Sequence, residues 1–400
     1  RELVIAYFQY PAILAYLALA ANSPLGELLD GALDEAHGTG DWRMPLDLKV
    51  PLLNTDDTQV QGRIRFSDNS FTFMPEIPPL SQIHGDLEFS EKGVQTKGIR
   101  AQFLGGPANI YGTLAQGTDA LRFDGTLSGP GLAQLSRAAS MSRFNGRAAY
   151  KGRLLYLKGG AIDISAESDL VGMAIDMPAP AGKPAKSAQL LKLQWSPAQD
   201  RGARDRRWLT ASLGDNVNAL FERDPAEGSA AYFSRGALGI GRPASLPERG
   251  LSLNASLPEL DMDAWDAVSE GFNVAPAKGR PPSKPILPQP ERISLAAGAL
   301  HTSGYTLNDL TLYATRPAPA RWRVELESRQ AAGTLEWREA QGAIAGQITA
   351  RLKHLSIAGE GDSNQADKAL ASGNDLSDIP AIDLQANQFL LYGKNLGALQ

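Results

Sequence analysis

The strongest constraint in this sequence is a two-residue period. Val60, Gly62, Ile64 and Phe66 alternate with Gln61, Arg63, Arg65 and Ser67. Ile83, Gly85, Leu87 and Phe89 alternate with His84, Asp86, Glu88 and Ser90. Shorter runs repeat the pattern at Phe123–Leu127, Ile162–Ala166, Leu209–Leu213, Val324–Leu326, Leu335–Trp337 and Ile382–Ala386. Successive side chains of a strand point to opposite faces, so each run describes a strand with one apolar and one polar face. Asp68-Asn69, Gly105-Gly106-Pro107, Gly129-Pro130-Gly131 and Gly159-Gly160 divide the runs as turns. The 40 glycines and 26 prolines serve mostly as this punctuation. The chain is therefore mainly β.

Helical signals are few. Leu3–Ala21 is almost wholly apolar and about long enough to span a bilayer. Gln9 and Pro11 interrupt it, and Leu14, Leu17, Ala18 and Ala21 fall on the stripe of a helix packed on one side. Two readings stand: a transmembrane helix, or a strand at Leu3–Phe8 followed by a packed helix. Ser23 and Pro24 open a second helix that Gly38-Thr39-Gly40 stops. Gly131–Ser140 is a further candidate, and so is Asp263–Val268, with Asp263 as its cap and Asp266 three residues on. Residues 275–290 contain too many prolines for a helix or a central strand, so they form an excursion or hinge. The organisation expected is a strand plus two helices in 1–40, a β segment over 41–274, the proline-rich linker 275–290, and a continuing β segment over 291–400. Arg1 opens the chain without a Met and Gln400 follows directly on a strand-like run, so residues are expected on both sides.

The chemistry of the sequence is sparse. At 400 residues with 43% hydrophobic and 21% charged side chains, the chain is a folded protein large enough for two or three domains. The net charge is −5 with scattered Lys and Arg, which gives no footprint for nucleic acid. There are no cysteines, which excludes disulfides and thiolate chemistry. His37, His84, His301 and His354 have no ligand spacing, so no metal site is expected. Gly236-Ala-Leu-Gly239-Ile-Gly241 lacks the Lys-Ser/Thr ending of a phosphate loop. No nucleophile elbow and no convergent carboxylate pair is apparent, so neither an enzyme nor a cofactor is expected. The six tryptophans read as core packing.

One phrase is distinctive: Ser168-Asp169-Leu170-Val171-Gly172-Met173-Ala174-Ile175-Asp176-Met177-Pro178-Ala179-Pro180-Ala181-Gly182-Lys183-Pro184-Ala185. It resembles the signature of the YhdP branch of the AsmA-like proteins, S-D-L-x-G-[LM]-x-[IL]-x-[LM]-P-x-P-x-x-K-x-A. Four more phrases are similar to that family and in its order: Leu246–Trp265, Trp322–Trp337, Ala350–Leu355 and Ile379–Leu384. Ala181-Gly182 departs from the family, which more often has a large apolar residue before the lysine. The resemblance implies an elongated, strongly curved antiparallel sheet with a few short helices, of the AsmA-like β-taco kind, whose inner face forms an apolar groove. It also implies a periplasmic protein, tied to the inner membrane by a helix upstream of Arg1, that carries phospholipid toward the outer membrane. Envelope proteins are possible partners on the same grounds.

Period-two alternation fits a groove and a closed sandwich equally, since both need one apolar face. The long strand series with few helices to cover it argues for the groove. Its expected lining is Val60, Ile64, Phe66, Ile83, Leu87, Phe89, Phe123, Leu127, Ile162, Ile164, Leu209, Leu213, Val324 and Leu326. Phospholipid transport without catalysis is the leading functional expectation. A structural scaffold or assembly factor of the envelope, offering sheet edges to other β proteins, is the alternative. A carbohydrate-active enzyme ranks last for want of paired carboxylates.

Overall fold

The computed structural model describes residues 2–6, 37–40, 45–51, 59–72, 78–90, 93–115, 120–134, 142–157, 162–198, 206–224, 231–269, 285–340, 346–357 and 381–400. At 2–6, 46–51, 59–60 and 269 the description is of the backbone alone. Among the described residues strands dominate, with two short helices. The described residues divide into two compact units, Arg1–Gly214 and Asp215–Gln400. The division falls at the turn that ends Leu209–Leu213, and the proline-rich segment lies largely outside the described residues.

Unit 1 is antiparallel throughout. β1 (Glu2–Ala6) pairs with β3 (Leu46–Pro51), β3 with the start of β4 (Gln59–Thr72), and β2 (His37–Thr39) with its far end. β5 (Leu80–Ser90), β6 (Gly93–Phe103), β7 (Gly106–Ala115), β8 (Ala120–Ser128), β9 (Phe144–Tyr156) and β10 (Ile162–Ser168) add in chain order. β11 (Met173–Ile175) pairs with the start of β9. β12 (Leu191–Pro197) pairs with β10 and with β13 (Arg207–Leu213). Bulges interrupt the ladders of β4–β5, β5–β6 and β6–β7. An extra residue on one strand bends that strand, which gives this part of the sheet its curvature. The buried Asn69 stabilises one bulge, its Oδ1 accepting from the Ser67 amide at 2.6 Å.

Unit 2 mixes directions. β14 (Val217–Arg223) and β15 (Arg235–Ile240) are antiparallel, but β15–β16 (Gly250–Asp261) and β16–β17 (Pro290–Thr302) are parallel. β18 (Tyr305–Ala318), β19 (Arg321–Glu327), β20 (Ala331–Arg338) and β21 (Gln347–Ile357) return to hairpins. β22 (Ala381–Leu391) lies parallel to β21, and β23 (Lys394–Leu399) is antiparallel to β22. The expectation of a purely antiparallel sheet is thus corrected in this unit. A parallel neighbour needs a crossover, and the chain supplies long connections before β17 and β22 and a shorter one between Ile240 and Gly250.

The helix signals resolve unevenly. The two helices expected before Gly38 lie outside the described residues, and no described helix is long and apolar enough to cross a membrane. At Gly131 only one turn is described, α1 (Gly129–Leu132), with Ser128 Oγ accepting from the Gly131 amide at 3.2 Å. α2 (Met262–Ser269) forms, but Asp261 is its cap, accepting from the Ala264 amide at 2.9 Å. Asp263, expected in that role, instead accepts from the Ser303 amide at 2.6 Å in the β17–β18 turn. The strand holds Asp261 extended, the backbone state that a cap needs.

The distinctive phrase folds as a buttress at one end of β9. Ser168 Oγ donates to the Ala149 carbonyl at 2.6 Å and accepts from the Leu170 amide at 3.1 Å. Leu170 and Gly172 adopt left-handed backbone angles that turn the chain, and Met173, completely buried, packs with Leu127, Ala148, Leu170 and Ile175. Lys183 points into this core. Its ammonium donates to the carbonyls of Leu170 at 2.8 Å, Met173 at 2.7 Å and Pro184 at 3.1 Å, which satisfies all three N–H bonds. Burial lowers its pKa from the ordinary lysine value, and the Asp169 carboxylate opposes that shift. Lys183→Met removes the donors and leaves three carbonyls with one fewer partner. It should cost about 2–4 kcal/mol in urea unfolding with the β spectrum retained. An unchanged midpoint would show that the ammonium does not hold the buttress.

Candidate functional site

The inner face of unit 1 carries two apolar rows that run straight across the strands. In one, Ile99, Ile110, Phe123, Gly152, Ala166, Leu193 and Ala211 are successive register partners from β6 to β13. Beside it, Gly112, Leu121, Leu154, Ile164, Trp195 and Leu209 are partners from β7 to β13. Seven strands contribute to the longer row. At about 4.8 Å per strand spacing it is roughly 29 Å long, about twice the ~15 Å of one bilayer leaflet's hydrocarbon.

The opposite face is polar and ion-paired. Arg63 meets Glu88 at 2.6 Å, Arg65 meets Asp86 at 3.0 Å and Lys151 meets Glu167 at 3.0 Å. Asn109 donates to Asp124 at 3.0 Å, and Gln194 to Asp163 at 3.2 Å. The exposed ion pairs add little stability, but each fixes which residue stands opposite which.

The expected lining residues separate into three environments. Ile64 faces Leu87 across β4–β5, while Ile164 faces Leu154 and Trp195; all are half-buried on the apolar face. Phe66, Phe123, Ile162, Leu209 and Leu213 lie on that face with similar burial. Ile83, Phe89 and Leu127 are instead closed over. Ile83 packs with Ile99 and Ala101, and Leu127 with Met173 under the buttress. Val60 stands opposite Leu48, and its side chain lies outside the described residues. Val324 and Leu326 belong to unit 2, opposite Leu335 and Gly333 on that unit's own apolar face.

The sequence reading missed Ile110, Leu121, Leu154, Leu193 and Trp195, of which Leu193 is the most open at 38% exposed. The signal was present, since Leu191, Leu193 and Trp195 alternate with Lys192 and Gln194. Gly236 and Gly239, considered and rejected as a phosphate loop, are buried in strand β15. His301 bonds Glu259 and Thr306 at 2.9 Å each across exposed strand ends.

The floor of the face is shaped by aromatic rings laid over glycines. Gly62 is the register partner of Phe89, Gly125 of Tyr150, and Gly152 of Phe123. A Cβ on any of these glycines would collide with its partner's ring or hydroxyl. The rings therefore lie down over the glycines along the sheet. The same arrangement sets Phe221 over Gly236 in unit 2.

Tyr150 adds one anomaly. Its hydroxyl is buried without a hydrogen-bond partner, and burial, then the nearby Asp124 carboxylate, pushes its pKa up to about 12. A raised folded-state pKa contributes stability below the unfolded value of 10, and that stability is lost as pH rises through about 12. Tyr150→Phe should raise stability at neutral pH by about 1 kcal/mol, because an unsatisfied hydroxyl is removed. It should also flatten the loss of stability between pH 10 and 12. A destabilised variant would indicate a hydrogen bond to water at that hydroxyl. For the ring–glycine pairs, Gly62→Ala should destabilise by about 1–3 kcal/mol through overpacking against Phe89. Combining it with Phe89→Leu should cost less than the sum of the two changes. Strict additivity would show that the ring does not rest on the glycine.

Comparison with known proteins agrees with the resemblance first read from the buttress segment. No curated protein and no solved structure matches the chain. The family model described as YhdP protein matches residues 11–400, which points to an AsmA-like role in the cell envelope. The chain belongs to the YhdP family.

Proposed function

We propose that the chain is a non-catalytic conduit for phospholipid between the inner and outer membranes, with acyl chains held on the apolar face. The observation that carries this reading is the pair of in-register apolar rows in unit 1. They are half-buried in mid-strand, where a sandwich would close them, and long enough for acyl chains. Carrying two acyl chains of about 30 methylene groups through water costs roughly 20–25 kcal/mol at ~0.8 kcal/mol each. A continuous apolar face removes most of that barrier. Its floor is built of glycine, alanine, leucine and rings, which grip no particular lipid and let chains slide. The family's envelope role supports a periplasmic setting for such a conduit. Anchorage to the inner membrane by a segment outside residues 1–400 belongs to the same proposal.

The organic extract of the purified chain should contain phospholipid by mass spectrometry. Photoreactive residues at Leu87, Leu154 or Leu193 should crosslink it, and those at Asp86, Arg153 or Lys192 on the other face should not. An extract free of lipid, with no crosslink at either set, would overturn the conduit in favour of an envelope scaffold.

A further inference from the structure

One charge arrangement in unit 2 differs from its neighbours on the polar face of β19–β22. Arg323, Arg329 and Arg351 each meet a carboxylate: Glu336 at 3.0 Å, Asp309, and Asp383 at 2.7 Å. Arg321 and Arg338 do not. They are direct register partners at the open ends of β19 and β20, both are exposed, and neither guanidinium bonds a described residue. Register partners have Cβ atoms about 5 Å apart, and like charges so placed repel. Their outer-face neighbours on the flanking strands are Ala318 and Gln347, which bring no carboxylate.

The same strand ends expose apolar surface on the other face. Trp337 adjoins Arg338 and is 44% exposed, and Ile382, further along its row, is 65% exposed. Two unneutralised guanidiniums bordering exposed apolar side chains match the boundary between a phosphate head group and its acyl chains. Guanidinium forks bind phosphate oxygens in pairs, and two forks set about 5 Å apart can share one phosphodiester.

The geometry points to Arg321 and Arg338 as a rim site for the phosphate of a lipid head group whose chains lie on the apolar face of unit 2. The assignment rests on the conduit reading. It gives that reading a polar contact that favours anionic over uncharged lipids and follows the phosphate from the rim.

The test titrates the whole chain with three probes: a short-chain phosphatidylglycerol below its micelle concentration, an uncharged diacylglycerol with the same chains, and inorganic phosphate. In Arg321→Gln/Arg338→Gln, phosphatidylglycerol affinity should fall about tenfold or more and depend less on salt. Diacylglycerol binding should be unchanged, and both residues are exposed, so the melting curve should match that of the parent. Unaltered phosphatidylglycerol affinity overturns the site. Inorganic phosphate binding as tightly as the lipid, with both lost in the variant, overturns the head-group assignment in favour of free phosphate. If diacylglycerol binds neither protein while phosphatidylglycerol affinity still falls in the variant, the anion site stands and the conduit reading fails.

Discussion

Register is the constraint on which the rest of the structure depends. A strand that slips by one residue moves its whole apolar set to the other face. In unit 1 a slip anywhere between β6 and β13 would cut the row from Ile99 to Ala211 and put charge into the trough. The polar face holds against this. Arg63–Glu88, Arg65–Asp86 and Lys151–Glu167 are cross-strand pairs, so their contribution is less to stability than to naming one alignment among several. The ring-on-glycine pairs act in the same sense on the inner face, because Phe123 fits over Gly152 and over no residue with a Cβ.

A sheet with one apolar face must either cover it or leave it wet. This chain does both, at different points along its strands. Near one strand end the family's signature segment closes the face: Leu127, Ala148, Met173 and Ile175 form a packed core, and the ammonium of Lys183 ties three carbonyls over it. A methionine or leucine at 183 would fill space there without holding the backbone. In mid-strand Ile164 is half-buried and Leu193 is exposed, so burial falls away from the buttress. The best-marked phrase of the sequence is thus a structural clamp, and the open apolar rows lie beside it.

The absence of specific polar groups along the rows has a mechanistic consequence. Apolar contact is non-directional and scales with area, so an acyl chain displaced by one strand spacing loses little. That is a poor arrangement for recognition and a good one for movement. Under the proposed conduit, recognition would come from the edges, where strands end at Arg321 and Arg338.

The sequence by itself determined the strands and their two faces, because alternation, turn residues and the lack of helical stripes act within a few residues of one another. The signature from Ser168 to Ala185 determined the family for the same reason. Contacts far apart in the chain were decided only by the tertiary structure. Phe89 and Leu127 read in sequence just like Leu87, yet packing closed the first two and left the third half-open. Asp261 took the helix cap expected of Asp263, because strand β16 ends there and the turn at Ser303 claims the other carboxylate. The parallel pairings of unit 2 were set by where long connections return the chain, and no local pattern encodes that. The burial of Lys183 was decided only in the fold, where the turn carbonyls of Leu170 and Met173 and that of Pro184 converge on its ammonium.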